Sequence, residues 1–195
     1  MSKIICQNLK LHFVNSQIDN GFNVSLKNGD RLGLLGNNGS GKTTLLKTII
    51  GIYPPLKGSV YCEGKIGHFM NIQQGFRQNA TVKENIQIIG ALKKLPKDKL
   101  DLFFAYALKF SELEKFSNTP IRQLSAGMKA RLAFSCSTFE ECDILIFDEW
   151  IGTADKPFTQ KANLRMSKLM ENKIVILASH NEQLINKWCN QKIKL

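Results

Sequence analysis

Nine consecutive residues constrain this chain more than any others: Gly36-Asn37-Asn38-Gly39-Ser40-Gly41-Lys42-Thr43-Thr44. A glycine, four residues, then Gly-Lys-Thr is the pattern of a phosphate-binding loop. The flanks agree with it. Arg31 to Leu35 is short and apolar, as a buried strand should be. Leu45 to Ile50 starts a helix that Gly51 is well placed to end. Strand, loop and helix in that order point to an α/β fold. The glycines let backbone N–H groups turn inward around a phosphate chain, and the helix N-terminus adds the positive end of its dipole. Lys42 then reaches the terminal phosphates, and the Thr43 hydroxyl is a ligand for Mg²⁺.

The remaining composition narrows the class. With 195 residues and 43% hydrophobic content, the chain can bury a substantial core as one domain over 1–195. Apolar runs stay well below the roughly 18 residues that a membrane span needs. Met1 to Cys6 lacks the apolar core of a signal peptide, so a cytoplasmic location is expected. Cys6, Cys62, Cys136, Cys142 and Cys189 are odd in number and widely spaced, which suits reduced, mostly buried thiols. The net charge of +11 is spread along the chain with one modest cluster at Lys93 to Lys99. That pattern suits a generally basic surface better than a nucleic-acid arm.

Taken in order, Lys3 to Phe13 alternates, with Ile4, Cys6, Leu9, Leu11 and Phe13 inward, and Phe22 to Leu26 repeats the alternation. The first strands therefore read as antiparallel β leading into the phosphate-loop strand. Phe13 lies 23 residues before Gly36, where stacking on a nucleotide base and packing in the core are both open. Ser59 to Cys62 and Lys65 to Phe69 read as two short strands. A polar loop with Gln73 and Gln74 follows, then a capping box at Thr81 and Glu84. Helical periodicity runs on to about Ser117, broken by Pro96, and indicates an inserted helical subdomain over about 80–135. Ser125 is an N-cap for a helix over Met128 to Ser137.

Ile144 to Phe147 is a continuous apolar run followed by Asp148 and Glu149. In a parallel sheet such a strand is buried on both faces, and the acidic pair emerges at its C-terminal end, beside the phosphate loop. One carboxylate can hold Mg²⁺ while the next orients an attacking water. Lys156 to Asn172 reads as a helix and Lys173 to Ala178 as another buried strand, ending in Ser179 and His180. That position gives His180 a functional setting which His12 and His68 lack. Asn181 to Leu195 reads as one helix.

The order of these motifs resembles the nucleotide-binding domain of an ABC transporter, along essentially the whole chain. Leu124-Ser125-Ala126-Gly127-Met128 is similar to the family signature Leu-Ser-Gly-Gly-Gln. Asp155, six residues beyond Glu149, matches the D-loop aspartate. A narrower likeness, carried by Ser125 to Phe134 and Asp148 to Asp155, is to the ATPases that export capsule, O-antigen or teichoic-acid polysaccharides. Ala126, Met128 and Trp150 depart from the general family pattern and fit that branch. With 15 residues after His180, the chain resembles the short type that lacks a C-terminal carbohydrate-binding domain.

The resemblance implies a P-loop NTPase fold of ABC type: a mixed or parallel sheet core, an N-terminal antiparallel β subdomain and an inserted helical subdomain. It implies a homodimer closing head to tail over two ATP molecules. Each ATP would lie between Gly36, Asn37, Asn38, Gly39, Ser40, Gly41, Lys42, Thr43 and Thr44 of one copy and Ser125, Ala126 and Gly127 of the other, with Asp155 nearby and Phe13 on the base. Glu149, His180 and Gln73 would be catalytic; Thr43, Asp148 and Gln73 would hold Mg²⁺. Gln74 is a second candidate for the Q-loop position, with Gln73 preferred. The expected partner is an integral-membrane permease that handles the polysaccharide and holds this subunit on the inner face of the plasma membrane, with no nucleic acid expected. The alternative is a soluble ABC ATPase acting on ribosomes or nucleic acid, which the +11 charge suits. A P-loop kinase would leave Ser125 and His180 without a task.

Overall fold

The computed structural model describes residues 2–11, 21–69, 75–149 and 156–195. In chain order the elements are β1 (Lys3–Lys10), β2 (Phe22–Lys27), β3 (Arg31–Leu35), α1 (Lys42–Ile49), β4 (Lys57–Glu63) and β5 (Ile66–Phe69). Then come α2 (Val82–Leu92), α3 (Lys97–Ser111), α4 (Ala126–Ser137), β6 (Ile144–Asp148), α5 (Lys156–Leu169), β7 (Ile174–Ser179), α6 (Glu182–Trp188) and β8 (Gln191–Lys194). The fold is α/β, with two sheets among the described residues, and it divides into two compact units.

The first unit takes the described residues of Met1–Met70, Cys142–Trp150 and Lys168–Leu195. Its larger sheet has the order β5-β6-β7-β3-β8, with every pair parallel. Strands β6 and β7 are apolar along almost their whole length because both their faces are covered. The smaller sheet is antiparallel, in the order β2-β1-β4. Ile4, Cys6, Leu9 and Leu11 are buried as expected, but the alternation skips a residue between Cys6 and Leu9. A bulge sits there, with Asn8 in the left-handed region at φ 47. Asn tolerates that conformation. Gly58 lies against the bulge, and a Cβ on it would come 2.3 Å from the Gln7 carbonyl oxygen, so only glycine fits. Strands β4 and β5 are neighbours in sequence yet pair in different sheets.

The last segment departs from the sequence expectation of one helix over Asn181 to Leu195. Helix α6 ends at Trp188, and β8 then pairs in parallel with β3. Asn190 makes the change of direction. Its backbone N–H donates to the Arg31 carbonyl (2.9 Å), its Oδ1 accepts from the Arg31 N–H (2.8 Å), and its Nδ2 donates to the Gly29 carbonyl (3.2 Å). Pairing with an open sheet edge and packing of Ile193 and Leu195 on the core outweigh local helix propensity. Two helix ends also differ by a few residues. Helix α4 starts at Ala126, two residues before the expected Met128, and α5 stops at Leu169 rather than Asn172.

The second unit takes the described residues of Asn71–Glu141 and Ile151–Ser167. Its core gathers Phe76, Val82, Ile86, Phe103, Leu113, Ile121, Leu132 and Cys136. Thr81 and Glu84 form the expected capping box at the start of α2. Asn85, only 1% exposed, binds the loop before the helix: its Oδ1 accepts from the Arg77 N–H, and its Nδ2 donates to the carbonyls of Arg77, Ala80 and Thr81.

All five cysteines are free thiols. Burial pushes Cys6 and Cys136 up to about 12 and Cys189 to about 11. Among the described residues, no helix is long and apolar enough to cross a membrane.

Candidate functional site

The parallel register brings three strand ends to one level. Leu35 at the end of β3 pairs with Ser179 at the end of β7, and Asp148 at the end of β6 pairs with Ala178. Such a carboxyl-end edge is where ligands bind in open α/β sheets. The phosphate loop leaves β3 here. Its first amide, Gly36 N–H, donates to the Ser179 carbonyl at 3.4 Å, so the loop is anchored to the neighbouring strand. Gly39 (φ 84) and Gly41 (φ 94) turn it into α1, and Gly41 caps that helix without a side-chain hydrogen bond. The first N–H groups of α1 are therefore not capped by a side chain and favour an anion.

Lys42 is buried at 6% exposure. Its ammonium donates to the carbonyls of Gly36 and Asn37, both at 2.8 Å. Ser40 Oγ is buried without a hydrogen-bond partner among the described residues. A Cβ on Gly36 would fall 2.5 Å from that Oγ and 2.8 Å from the Leu195 carbonyl oxygen, so this part of the cradle admits only glycine. A buried ammonium, an unpaired hydroxyl and uncapped amides together fit a polyphosphate.

Thr43 Oγ1 donates to Asp148 Oδ2 at 2.7 Å, a contact between residues 105 apart in sequence. Two hard oxygens beside a phosphate cradle fit Mg²⁺, which takes few protein ligands and completes its shell with phosphate and water. Among the described residues there is no group of three His, Cys, Asp or Glu side chains that could hold a metal ion.

Glu149 follows directly and is unusual in its backbone. It adopts φ 65, while its N–H donates to the Ala178 carbonyl at 3.0 Å. A left-handed non-glycine residue is held only where the surroundings fix it, and such residues concentrate at functional sites. Its carboxylate is 53% exposed, with Oε1 3.1 Å from His180 Nδ1. His180 follows β7, and the turn beyond it is fixed by Ser179 Oγ, which accepts from the Asn181 N–H (3.0 Å), and by Asn181, whose Oδ1 caps α6 at the Leu184 N–H (3.1 Å).

The structure thus brings together Gly36 to Thr44, Asp148, Glu149 and His180, all in the first unit. Ser125 lies in the second unit, where it caps α4 by accepting the Met128 N–H at 3.1 Å; Ala126 is exposed and Gly127 half-buried. Phe13, Gln73, Gln74, Trp150 and Asp155 lie outside the described residues. Sequence reasoning gave Ser179 and Asn181 no part in the site, although they set the loop anchor and the His180 turn. Their only sequence signal is adjacency to His180.

Residues 20–152 match the ABC transporter family. This chain belongs to it. Among curated proteins, the O-antigen export system ATP-binding protein of Myxococcus xanthus is 34% identical over 171 residues, covering 87% of this chain and 39% of that protein. The O-antigen export system ATP-binding protein of Yersinia enterocolitica is 35% identical over 188 residues, covering 91% of this chain and 74% of that protein. The ABC chain thus spans well under half of the first relative and about three quarters of the second. Among solved structures, an ATP-binding subunit of an ABC transporter superposes with a TM-score of 0.82 at 18% identity, covering 98% of this chain and 85% of that one. That likeness concerns the fold.

Proposed function

We propose that this chain is the ATP-hydrolysing subunit of a membrane exporter whose cargo is a cell-surface polysaccharide of the O-antigen, capsule or teichoic-acid kind. The observation that carries the chemistry is the meeting of Lys42, Thr43, Asp148, Glu149 and His180 at one sheet edge. The names of the relatives support the cargo.

In this reading Lys42 turns from the carbonyls of Gly36 and Asn37 to the β- and γ-phosphates of ATP, and the amides of Gly39 to Thr44 line the rest of the chain. Ser40 Oγ gains the partner it lacks. Thr43, Asp148 and Gln73 would hold Mg²⁺, which would supply positive charge against the phosphates. Glu149 orients the attacking water and accepts its proton as the new oxygen–phosphorus bond forms. The bond from the γ-phosphorus to the bridging oxygen breaks, and ADP departs with that oxygen. His180 steadies the Glu149 carboxylate and faces the γ-phosphate. Phe13 stacks on the base. A second copy closes the site with Ser125, Ala126 and Gly127, whose helix start supplies donors for developing charge, and Asp155 lies at the same junction. Closure is passed through Gln73 and the helical unit to a permease on the inner face of the membrane.

The test is to purify the chain from membranes and from ribosomes and to measure phosphate release. Recovery with an integral-membrane permease that raises ATP turnover is the expected result. Recovery with ribosomes or DNA, and none with membranes, would establish the non-transport alternative.

A further inference from the structure

The phosphate loop begins at one peptide unit, Leu35–Gly36, and that unit is held from two sides. Its N–H, on Gly36, donates to the Ser179 carbonyl of β7 at 3.4 Å, while its carbonyl, on Leu35, accepts from the Leu195 N–H at 2.8 Å. The second length is ordinary for such a bond and the first is beyond the usual range, so the grip from the β8 side is the firmer one. The next peptide carries the Gly36 carbonyl that receives Lys42 Nζ at 2.8 Å. The two planar units share the Gly36 Cα, so rotating the first would displace the carbonyl on the second. Leu195 therefore reaches Lys42 through two peptides.

Strand β8 has four mostly exposed residues and pairs with β3 alone. What holds it is specific. Asn190 lays it down with three hydrogen bonds to Gly29 and Arg31. Lys192 Nζ donates to Glu182 Oε1 at 2.7 Å and to Asn186 Oδ1 at 3.3 Å, both on α6. Ile193 and Leu195 pack on the core. A short exposed edge strand opens locally more often than one flanked on both sides, as β7 is. We infer that Leu195 is a positioning residue for nucleotide binding: its N–H sets the first peptide of the phosphate loop in the orientation that accepts ATP. By linkage, bound nucleotide holds β8 against β3 to the same degree. This rests on the proposed reading of Gly36 to Thr44 as the ATP site.

The test uses the full chain with ADP as the probe. Leu195→Pro removes the N–H just beyond an edge strand, a place where proline is tolerated. The ADP dissociation constant should rise about three- to tenfold, the change that one hydrogen bond makes. KM for ATP should rise in step, while kcat at saturating ATP stays within about twofold, because nucleotide once bound restores the loop. Leu195→Ile keeps the N–H and the apolar contact and should bind ADP as the parent does. In the parent chain, the Leu195 amide should exchange with solvent about three- to tenfold more slowly under saturating ADP. That readout stands whether or not the proline variant folds. Parent-level ADP affinity in Leu195→Pro, an equal loss in Leu195→Ile, or an exchange rate at Leu195 that ADP leaves unchanged would each overturn the inference. Lys42→Ala is the control for the underlying reading. If it binds ADP as the parent does, the phosphate-loop reading fails and takes the inference with it; if it loses affinity while Leu195→Pro does not, the inference alone fails.

Discussion

At the start of α2, the Glu84 carboxylate accepts from the Thr81 N–H at 2.7 Å and from the Thr81 hydroxyl at 2.9 Å, on an ordinary helical backbone. At the end of β6, the Glu149 carboxylate faces His180 from a backbone at φ 65. Both are exposed glutamates at the end of an element. Glu84 is bound by donors three residues away and serves the helix that carries it. Glu149 has its side chain against His180, just beyond the end of β7, on a conformation that costs energy. In the proposed function that contrast separates a carboxylate kept for the fold from one kept for chemistry, and it can be attacked from either side.

The largest effect should come from Glu149→Gln. Loss of the proton acceptor should cut turnover by about a hundredfold or more, within the range of general base catalysis, while the thermal midpoint barely moves. Phosphate release and a melting curve on the same sample decide it; retained turnover would erase the contrast. The reverse pattern is expected at Asn85→Ala in the second unit. It leaves the Arg77 N–H without its partner and takes one donor from the carbonyls of Arg77, Ala80 and Thr81, each of which keeps a backbone donor, so a denaturant titration should show about 2 kcal/mol of lost stability. ADP affinity should hold in the molecules that remain folded. Lys42→Ala tests the phosphate loop itself. Losing one charge-assisted contact to phosphate should weaken ATP binding by about tenfold to a hundredfold in a titration.

The smallest effect belongs to Glu84. The Thr81 backbone N–H, and after it the Thr81 hydroxyl, hold its carboxyl below the ordinary 4.5. A folded value below the unfolded one means that its stabilising contribution is fully present above 4.5. That contribution fades as pH falls through the lowered value. Glu84→Gln should therefore flatten the acid limb of a stability profile while leaving turnover at neutral pH unchanged. A parent-like acid limb in that variant would show that the capping carboxylate is as free as any surface glutamate.

These features were legible in the sequence to very different degrees. The phosphate loop, the Thr81–Glu84 box and the Ser125 cap are signals within a few residues, and each stands where its spacing put it. Ile144 to Asp148 was legible because burial on both faces leaves an uninterrupted apolar run. Strand β8 was not. Gln191-Lys192-Ile193-Lys194 is short and mostly exposed, and its reason for being extended is β3, some 160 residues earlier. The contact of Thr43 with Asp148 could be anticipated from motif order, whereas the left-handed backbone of Glu149 and the bond from Gly36 to Ser179 left no mark in residue type.

Strand β3 lies between β7 and β8, and both of those come from the last quarter of the chain. On a ribosome, Arg31 to Leu35 emerges early, with neither flanking strand yet made. The Ser179 carbonyl that anchors Gly36, and the Leu195 carbonyl against which Gly36 packs, emerge long after the loop itself. The loop therefore takes its anchored form only after those later strands have been made. A stalled fragment ending before β7 should carry the complete Gly36 to Thr44 sequence and yet lack its phosphate cradle.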